Sequence, residues 1–235
     1  VSLTKRILII GCSDGIGLAL VKRLLSEDWR VAGFSRRKSP IEHPEYLHVV
    51  GDVAEPGFRE RIKDLELQQG PFSACVYCAG IGLGFDASNL DGDVTVLKVN
   101  LLAAIEAAAV LVPRMVERRQ GHFVVLSSMA DKLLIPDSPA YAASKAGLSS
   151  YFESLGLAVR SSGVAVTNIR FGFVDTKMAR SPVKPFLRQV DWAVSVVVRA
   201  LGRRAIRVSR PRRMAVLVSA LRCLTDWRLR LFTRR

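Results

Sequence analysis

The amino-acid sequence predicts an α/β protein built on a doubly wound, seven-stranded parallel sheet in three α/β/α layers, with a basic C-terminal helix appended. Three observations carry this. Short apolar runs alternate with helical patterns along the chain. Several of the runs are nearly continuous, as in 124–126 (VVL) and 165–169 (AVTNI), which is what strands covered on both faces require. A glycine cluster follows the first run and opens a helix.

In chain order, strands are expected at 5–10, 30–34, 46–50, 73–77, 122–127, 164–170 and 205–208. Helices are expected at 15–27, 56–69, 91–118, 139–161, 189–202 and 211–232. Strictly alternating elements imply parallel strands joined by right-handed crossovers. The 235 residues fit one domain over 1–210 followed by an amphipathic helix at 211–235, and no internal repeat or long linker interrupts them.

The composition narrows the function classes. Hydrophobic residues make up 49% of the chain, enough for a sizeable core. No stretch is read as reaching membrane-span length, roughly 20 apolar residues. The run Ile7–Ile10 meets glycine with no small-residue cleavage site, so it reads as a buried strand rather than a signal peptide. The four cysteines, Cys12, Cys75, Cys78 and Cys223, are then expected as reduced thiols of a cytoplasmic protein. Cys75 and Cys78 form a lone CxxC without the further ligands a zinc ion needs, so no metal is expected. The net charge is +14, but residues 203–235 hold eleven arginines and one acid, Asp226, or +10; the other 202 residues carry +4. The basic character belongs to the tail, and no nucleic-acid motif accompanies it.

The glycine cluster reads Gly11-Cys12-Ser13-Asp14-Gly15-Ile16-Gly17. Glycine lets the backbone turn tightly and approach a pyrophosphate, and the following helix offers free N–H groups and a favourable dipole. This is a Rossmann-like phosphate loop with GxxxGxG spacing. The second strand ends Phe34-Ser35-Arg36-Arg37-Lys38, with no acid for a ribose 2′-hydroxyl. Arginine there can pair bidentately with a 2′-phosphate, which points to NADP(H), with Arg36 the main contact and Arg37 secondary.

With this loop the chain resembles the short-chain dehydrogenase/reductase family, over residues 5 to about 210. Further motifs carry the resemblance. Tyr141 and Lys145 stand four apart in Tyr-Ala-Ala-Ser-Lys, on one helix face. Ser128 lies thirteen residues before Tyr141, a spacing that selects it over Ser127, and Asn100 sits in Lys-Val-Asn-Leu. The resemblance implies a catalytic tetrad of Asn100, Ser128, Tyr141 and Lys145. Tyr141 would exchange a proton with the substrate oxygen and Ser128 would orient that oxygen. Lys145 would lower the phenol pKa and hold the nicotinamide ribose. Asn100 would hold a water linking Lys145 to solvent. It also implies that Ser35 belongs to the NADP(H) pattern, that Asp52 and Val53 line the adenine, that Ala79 and Gly80 approach the cofactor, and that Gly172, Val174 and Thr176 meet the nicotinamide.

Two departures from the family pattern stand out. Tyr77-Cys78-Ala79-Gly80 replaces Asn-Asn-Ala-Gly, and Phe171 replaces the proline of a Pro-Gly turn, predicting a less rigid turn. The segment at 177–188, where related enzymes carry a substrate lid, is short.

The tail helix spaces Met214, Leu217, Val218, Leu221, Leu224, Trp227 and Leu231 on one face, with arginines around them. It can pack on its own domain, contact a membrane or partner, or steer acidic substrates. Helices 91–118 and 139–161, rich in Ala and other small residues (Ala140, Ala142, Ala143, Ala146, Gly147), are where similar proteins pair, so a homodimer is expected. The expected activity is interconversion of a ketone and a secondary alcohol on a largely apolar substrate. The alternative is a nucleotide-binding redox-sensing or signalling protein with little turnover.

Overall fold

The computed structural model describes residues 5–179 and 181–232. Seven parallel strands form one sheet in the order β3-β2-β1-β4-β5-β6-β7. They are β1 (Arg6–Ile10), β2 (Arg30–Ser35), β3 (Tyr46–Val50), β4 (Ala74–Tyr77), β5 (Gly121–Ser128), β6 (Val164–Phe171) and β7 (Arg207–Arg210). The chain winds from β1 outward to β3, returns to the other side of β1 at β4, and continues to β7. The reversal between β1 and β4 is a topological switch point, which opens a crevice at the carboxyl ends of the strands.

Both faces of the sheet are covered. On one, α2 (Phe58–Gln69), α4 (Ala103–Glu117) and α5 (Pro139–Ala158) enclose a core that includes Phe34, Phe58, Tyr77, Phe123 and Phe152. On the other, α1 (Gly15–Leu25) and α6 (Val190–Arg203) enclose Ile7, Ile9, Leu20, Leu24, Val124 and Ile169. The fully buried strands β5 and β6 explain the continuous apolar runs. The polar exceptions in β6 are paired, except for Asn168 Oδ1, which is buried without a hydrogen-bond partner among the described residues. Thr167 Oγ1 donates to Ala205 O and contacts His122, Asn168 Nδ2 donates to Glu153, and Arg170 meets Asp131.

Four sequence expectations need correction. The helix expected at 91–118 is broken into α3 (Asp91–Leu97), a π-helical turn at Lys98–Leu102 that contains Asn100, and α4. π turns of this kind interrupt helices mostly at functional sites. Taken together, Asp91–Glu117 is by length and composition apolar enough to cross a membrane, contrary to the reading that no stretch is. Its apolar side is that of a core helix, with Val99, Ala103, Ala104, Ala107, Leu111 and Met115 packed against the sheet. The last strand lies at 207–210 rather than 205–208, because it pairs with the C-terminal half of β6, Asn168–Phe171, along the edge opposite β5. The helix expected to 161 ends at Ala158, and a 3₁₀ turn, Arg160–Ser162, closes on Gly163 at φ +77°.

The final helix, α7 (Arg212–Phe232), leaves β7 and lays its first two turns on the 3₁₀ turn Met129–Lys132. Met214 and Val218 pack there with Met129, Leu133 and Phe173.

Candidate active site

The glycine loop crosses the switch point where β1 meets β4. Gly11 adopts φ +89°, and a β-carbon on it would lie 2.4 Å from Ala79 N. A β-carbon on Gly17 would lie 1.9 Å from Gly11 O. Neither position admits a side chain, so the loop presents bare backbone beside the N-terminus of α1. Cys78 N and Ala79 N both donate to Ile10 O, at 2.7 and 2.9 Å. The Cys78 thiol itself packs into the apolar layer next to α1, and burial pushes its pKa up. The departure from asparagine thus leaves the backbone cradle intact.

Asp14 caps α1, its carboxylate accepting from Gly15 N at 2.8 Å. The same carboxylate pairs with Lys177 at 2.8 Å and Arg37 at 3.1 Å. Lys177 is the leading cause holding the Asp14 pKa below the usual carboxylate range. Arg36 faces Asp52 at 3.6 Å. Both arginines are exposed at the end of β2, where a 2′-phosphate would reach them.

Ser35 is buried; it donates to Arg37 O at 2.9 Å and lies 2.8 Å from His48 Nε2. Ser39 N donates to His48 Nδ1, so Nε2 carries the proton and donates to Ser35. The serine therefore shapes the arginine turn from within. The Val53 side chain is likewise buried, in the core beside Phe34 and Phe58, and leaves only its backbone to an adenine.

At the carboxyl end of β5, Ser128 caps the 3₁₀ turn, its hydroxyl accepting from Ala130 N at 3.1 Å. Tyr141 and Lys145 project from the first two turns of α5, and Lys145 Nζ lies 5.8 Å from the Tyr141 ring centroid. Burial pushes the Tyr141 phenol up, and the Ser128 hydroxyl works in the opposite direction. Lys145 is buried and donates to Leu126 O at 3.0 Å. Desolvation drops its pKa to about 8. The 80–82 loop passes close by: a β-carbon on Gly80 would lie 3.7 Å from Lys145 Nζ, and one on Gly82 3.7 Å from Tyr141 Cδ2.

Asn100 is fully buried and its amide is committed. Nδ2 donates to Ile81 O and Ser144 Oγ, and Oδ1 accepts from Ile81 N. Its side chain ties the 80–82 loop to α5, so a relay water there would need a main-chain group.

The turn after β6 is held firmly despite the missing proline. Gly172 N donates to Arg210 O, Asp175 N to Arg188 O, and Arg188 N to Phe173 O, at 2.9, 2.8 and 3.0 Å. Val174 is buried, and the Thr176 methyl reaches within 3.5 Å of a β-carbon on Gly15. The structure thus gathers the expected residues along one crevice, with the glycine loop, the Ser128–Tyr141–Lys145 group and the 172–176 turn side by side. A dinucleotide fits the residues present, since the sites where a β-carbon would intrude line the loop that would hold its pyrophosphate.

Sequence reading missed a polar network behind this site. Arg170 and Asp131 form a bidentate ion pair, Nε to Oδ2 and Nη2 to Oδ1 both at 2.5 Å, with both side chains 5% exposed. Ser149 donates to Asp131 at 2.7 Å and touches Ser127 at 2.8 Å, and Ser127 donates to Lys145 O. The signal was there: an arginine inside a run destined for burial demands a buried acid. Among the described residues no His/Cys/Asp/Glu group could hold a metal ion.

Comparison with known proteins agrees with this geometry. The family model of short chain dehydrogenases matches residues 5–185. An uncharacterized oxidoreductase of Myxococcus xanthus is 31% identical, over 89% of this chain and 88% of its own length. Dehydrogenase/reductase SDR family member 7B of Mus musculus is also 31% identical, but the chain spans only 50% of its length. A short chain dehydrogenase of Burkholderia cenocepacia, solved in complex with NADP, superposes with a TM-score of 0.83 at 21% identity, over 95% of this chain and 96% of that one. A Sphingobium yanoikuyae short-chain dehydrogenase, solved with NADPH, gives 0.78 at 20% identity, covering 94% and 95%. The chain belongs to the short-chain dehydrogenase/reductase family, oxidoreductases that act on CH–OH groups with NAD(P).

Proposed function

We propose that the protein is an NADP(H)-dependent oxidoreductase interconverting a ketone and a secondary alcohol, with Tyr141 as general acid and base. The observation that carries this is the meeting of Tyr141, Lys145 and Ser128 beside a glycine loop that admits no side chains. Bound nicotinamide would supply or accept the hydride. The protein's own groups do the rest. Ser128 orients the substrate oxygen. Tyr141 gives it a proton during reduction and takes one during oxidation. Lys145, protonated at neutral pH with a pKa near 8, favours the phenolate when Tyr141 has lost its proton. A proton relay to solvent past Asn100 would run through main-chain groups, because the Asn100 amide is committed to Ile81 and Ser144.

Arg36 and Arg37 support NADP(H) over NAD(H), because no carboxylate at the end of β2 is free of a cationic partner: Asp52 and Asp14 face these arginines. Exposed Met178, close to Gly82 beside Tyr141, and exposed Leu83 and Phe85, bonded to Ser138 and Asp137 just ahead of Tyr141 in the chain, support an apolar substrate. Homologues include an ipsdienol dehydrogenase of Ips pini, 29% identical over 75% of this chain. Exposed Leu102, in the π turn that leads into α4, and exposed Tyr151 and Leu157 on α5 support pairing of two copies there.

NADPH oxidation against a panel of apolar ketones tests the reading. Tyr141→Phe is expected to lower kcat by about 10²–10⁴-fold, the range for general acid–base catalysis, with NADPH affinity retained. Tight NADPH binding without Tyr141-dependent turnover on any ketone would instead favour the redox-sensing alternative.

A further inference from the structure

Helix α7 divides its apolar residues between two surfaces. Met214 and Val218, at 8% and 3% exposure, face the domain. Val216, Leu217, Leu221, Leu224 and Trp227 face outward at 72, 43, 42, 58 and 61%. At 100° per residue these five and exposed Ala220 cover an arc of roughly 140°, which adjoins the buried pair at Leu221 and also holds Arg213. An exposed apolar face of this extent marks a binding surface. The sequence placed Met214, Leu217, Val218, Leu221, Leu224 and Trp227 on one stripe, without Val216; the structure shows that the domain takes only Met214 and Val218 of it.

The surrounding charge identifies the occupant. Residues 203–235 carry eleven arginines against Asp226, and Arg212 and Arg213 are exposed on the first turn of α7. A second copy seated on this face through a two-fold axis would bring two arginine-rich segments together. An anionic bilayer satisfies both features at once, with the apolar face at the acyl boundary and the arginines among the phosphates.

We propose that α7 docks this protein on the surface of an anionic phospholipid bilayer through Leu217, Leu221, Leu224 and Trp227, with the flanking arginines on lipid phosphate. The opposite, domain-facing side of α7 lies beside the candidate active site. Met214 lies against Gly172, and the 3₁₀ turn under α7 begins directly after Ser128. Exposed Phe186 and Leu187 are tied beside Phe173 by the Arg188–Phe173 backbone bond. Delivery of a membrane-dissolved substrate to Tyr141 rests on the reductase reading; the docking does not.

The test is cosedimentation of the full chain with phosphatidylglycerol–phosphatidylcholine vesicles and with pure phosphatidylcholine vesicles. Each arginine near an anionic surface adds about 1 kcal/mol, so a few engaged arginines predict at least about tenfold stronger binding to the anionic vesicles, weakened by salt. The triple variant Leu221→Ser/Leu224→Ser/Trp227→Ser alters only outward-facing residues, so circular dichroism and NADPH affinity stay as in the parent while vesicle binding falls at least about tenfold. The variant Arg212→Glu/Arg213→Glu is expected to lose anionic binding as well, independently of the apolar face. Absent or equal binding to the two vesicle types, or parental binding by both variants, overturns the proposal. So does light scattering in which the triple variant turns a lipid-free dimer into a monomer, because a second copy then covers the face. Vesicle binding without ketone reduction would sink the reductase reading alone.

Discussion

Tyr141 and Lys145 are each pushed toward their neutral forms by burial. The lysine needs this less than it costs. Its folded pKa, about 8, lies below the ordinary 10.5, so the charged ammonium opposes folding at neutral pH, and that cost fades as the pH rises from about 8 toward 10.5. Its hydrogen bond to Leu126 O offsets part of that cost. A destabilised group of this kind is a mark of a functional site rather than of a core. At the cofactor end, Arg36 is exposed and its contact with Asp52, at 3.6 Å, is loose, so it is available to a phosphate. Arg36→Ala is expected to lower kcat/KM for NADPH by about tenfold or more, as loss of one charge-assisted contact implies. NADH should be little affected, and steady-state kinetics with both nucleotides measures the ratio.

Single elements are held in register by buried polar groups. The Asp131–Arg170 pair joins the turn that follows Ser128 to the end of β6, and Ser149 and Ser127 extend it to the backbone of Lys145. Removing one partner strands the other charge away from water. Asp131→Asn is therefore expected to cost about 3–5 kcal/mol in urea unfolding, whereas the well-packed apolar replacement Asp131→Leu/Arg170→Met recovers most of the loss. The π turn works by shape. The extra residue in the 98–102 turn coincides with Asn100 reaching across to Ile81 and Ser144, which fastens α3–α4 to the cofactor-side loop and to α5. On α5, the small residues serve two ends. Ala140 and Ala142 are buried in their own subunit, and Gly147 lets Leu101 approach, since a β-carbon there would lie 2.9 Å from Leu101 Cδ2. Ala143 and Ala146 remain exposed.

For the whole molecule, the sheet order creates the crevice and the helix layers leave two outward surfaces of different character. The α4–α5 surface is apolar with small residues and lacks the arginine excess of the tail, which suits a second copy. The α7 surface is apolar and strongly basic, which suits lipid. The two partners therefore do not compete. Light scattering at micromolar concentration is expected to give twice the chain mass, and a charged substitution at the first surface, Ala146→Glu, is expected to yield monomers that still bind anionic vesicles. A monomeric parent protein would refute the pairing.

The sequence by itself determined the layer order and the glycine loop, because these follow from local periodicity and spacing, which act along the chain; the choice of Ser128, Tyr141 and Lys145 came from the family resemblance. It also exposed the arginine pair at the end of β2. Only the tertiary structure decided matters that depend on contacts between distant segments. Ser35 and Val53 turn inward, Asn100 binds Ile81 and Ser144, and Arg170 finds Asp131. The π turn and the place of β7 belong with these, since Asn100 in the one meets Ile81 and Ser144 and the other pairs with the C-terminal half of β6. The apolar stripe of α7 makes the same point. Periodicity defines a stripe, but the domain beneath determines how much of it is covered, and here Met214 and Val218 go in while Leu217, Leu221, Leu224 and Trp227 stay out.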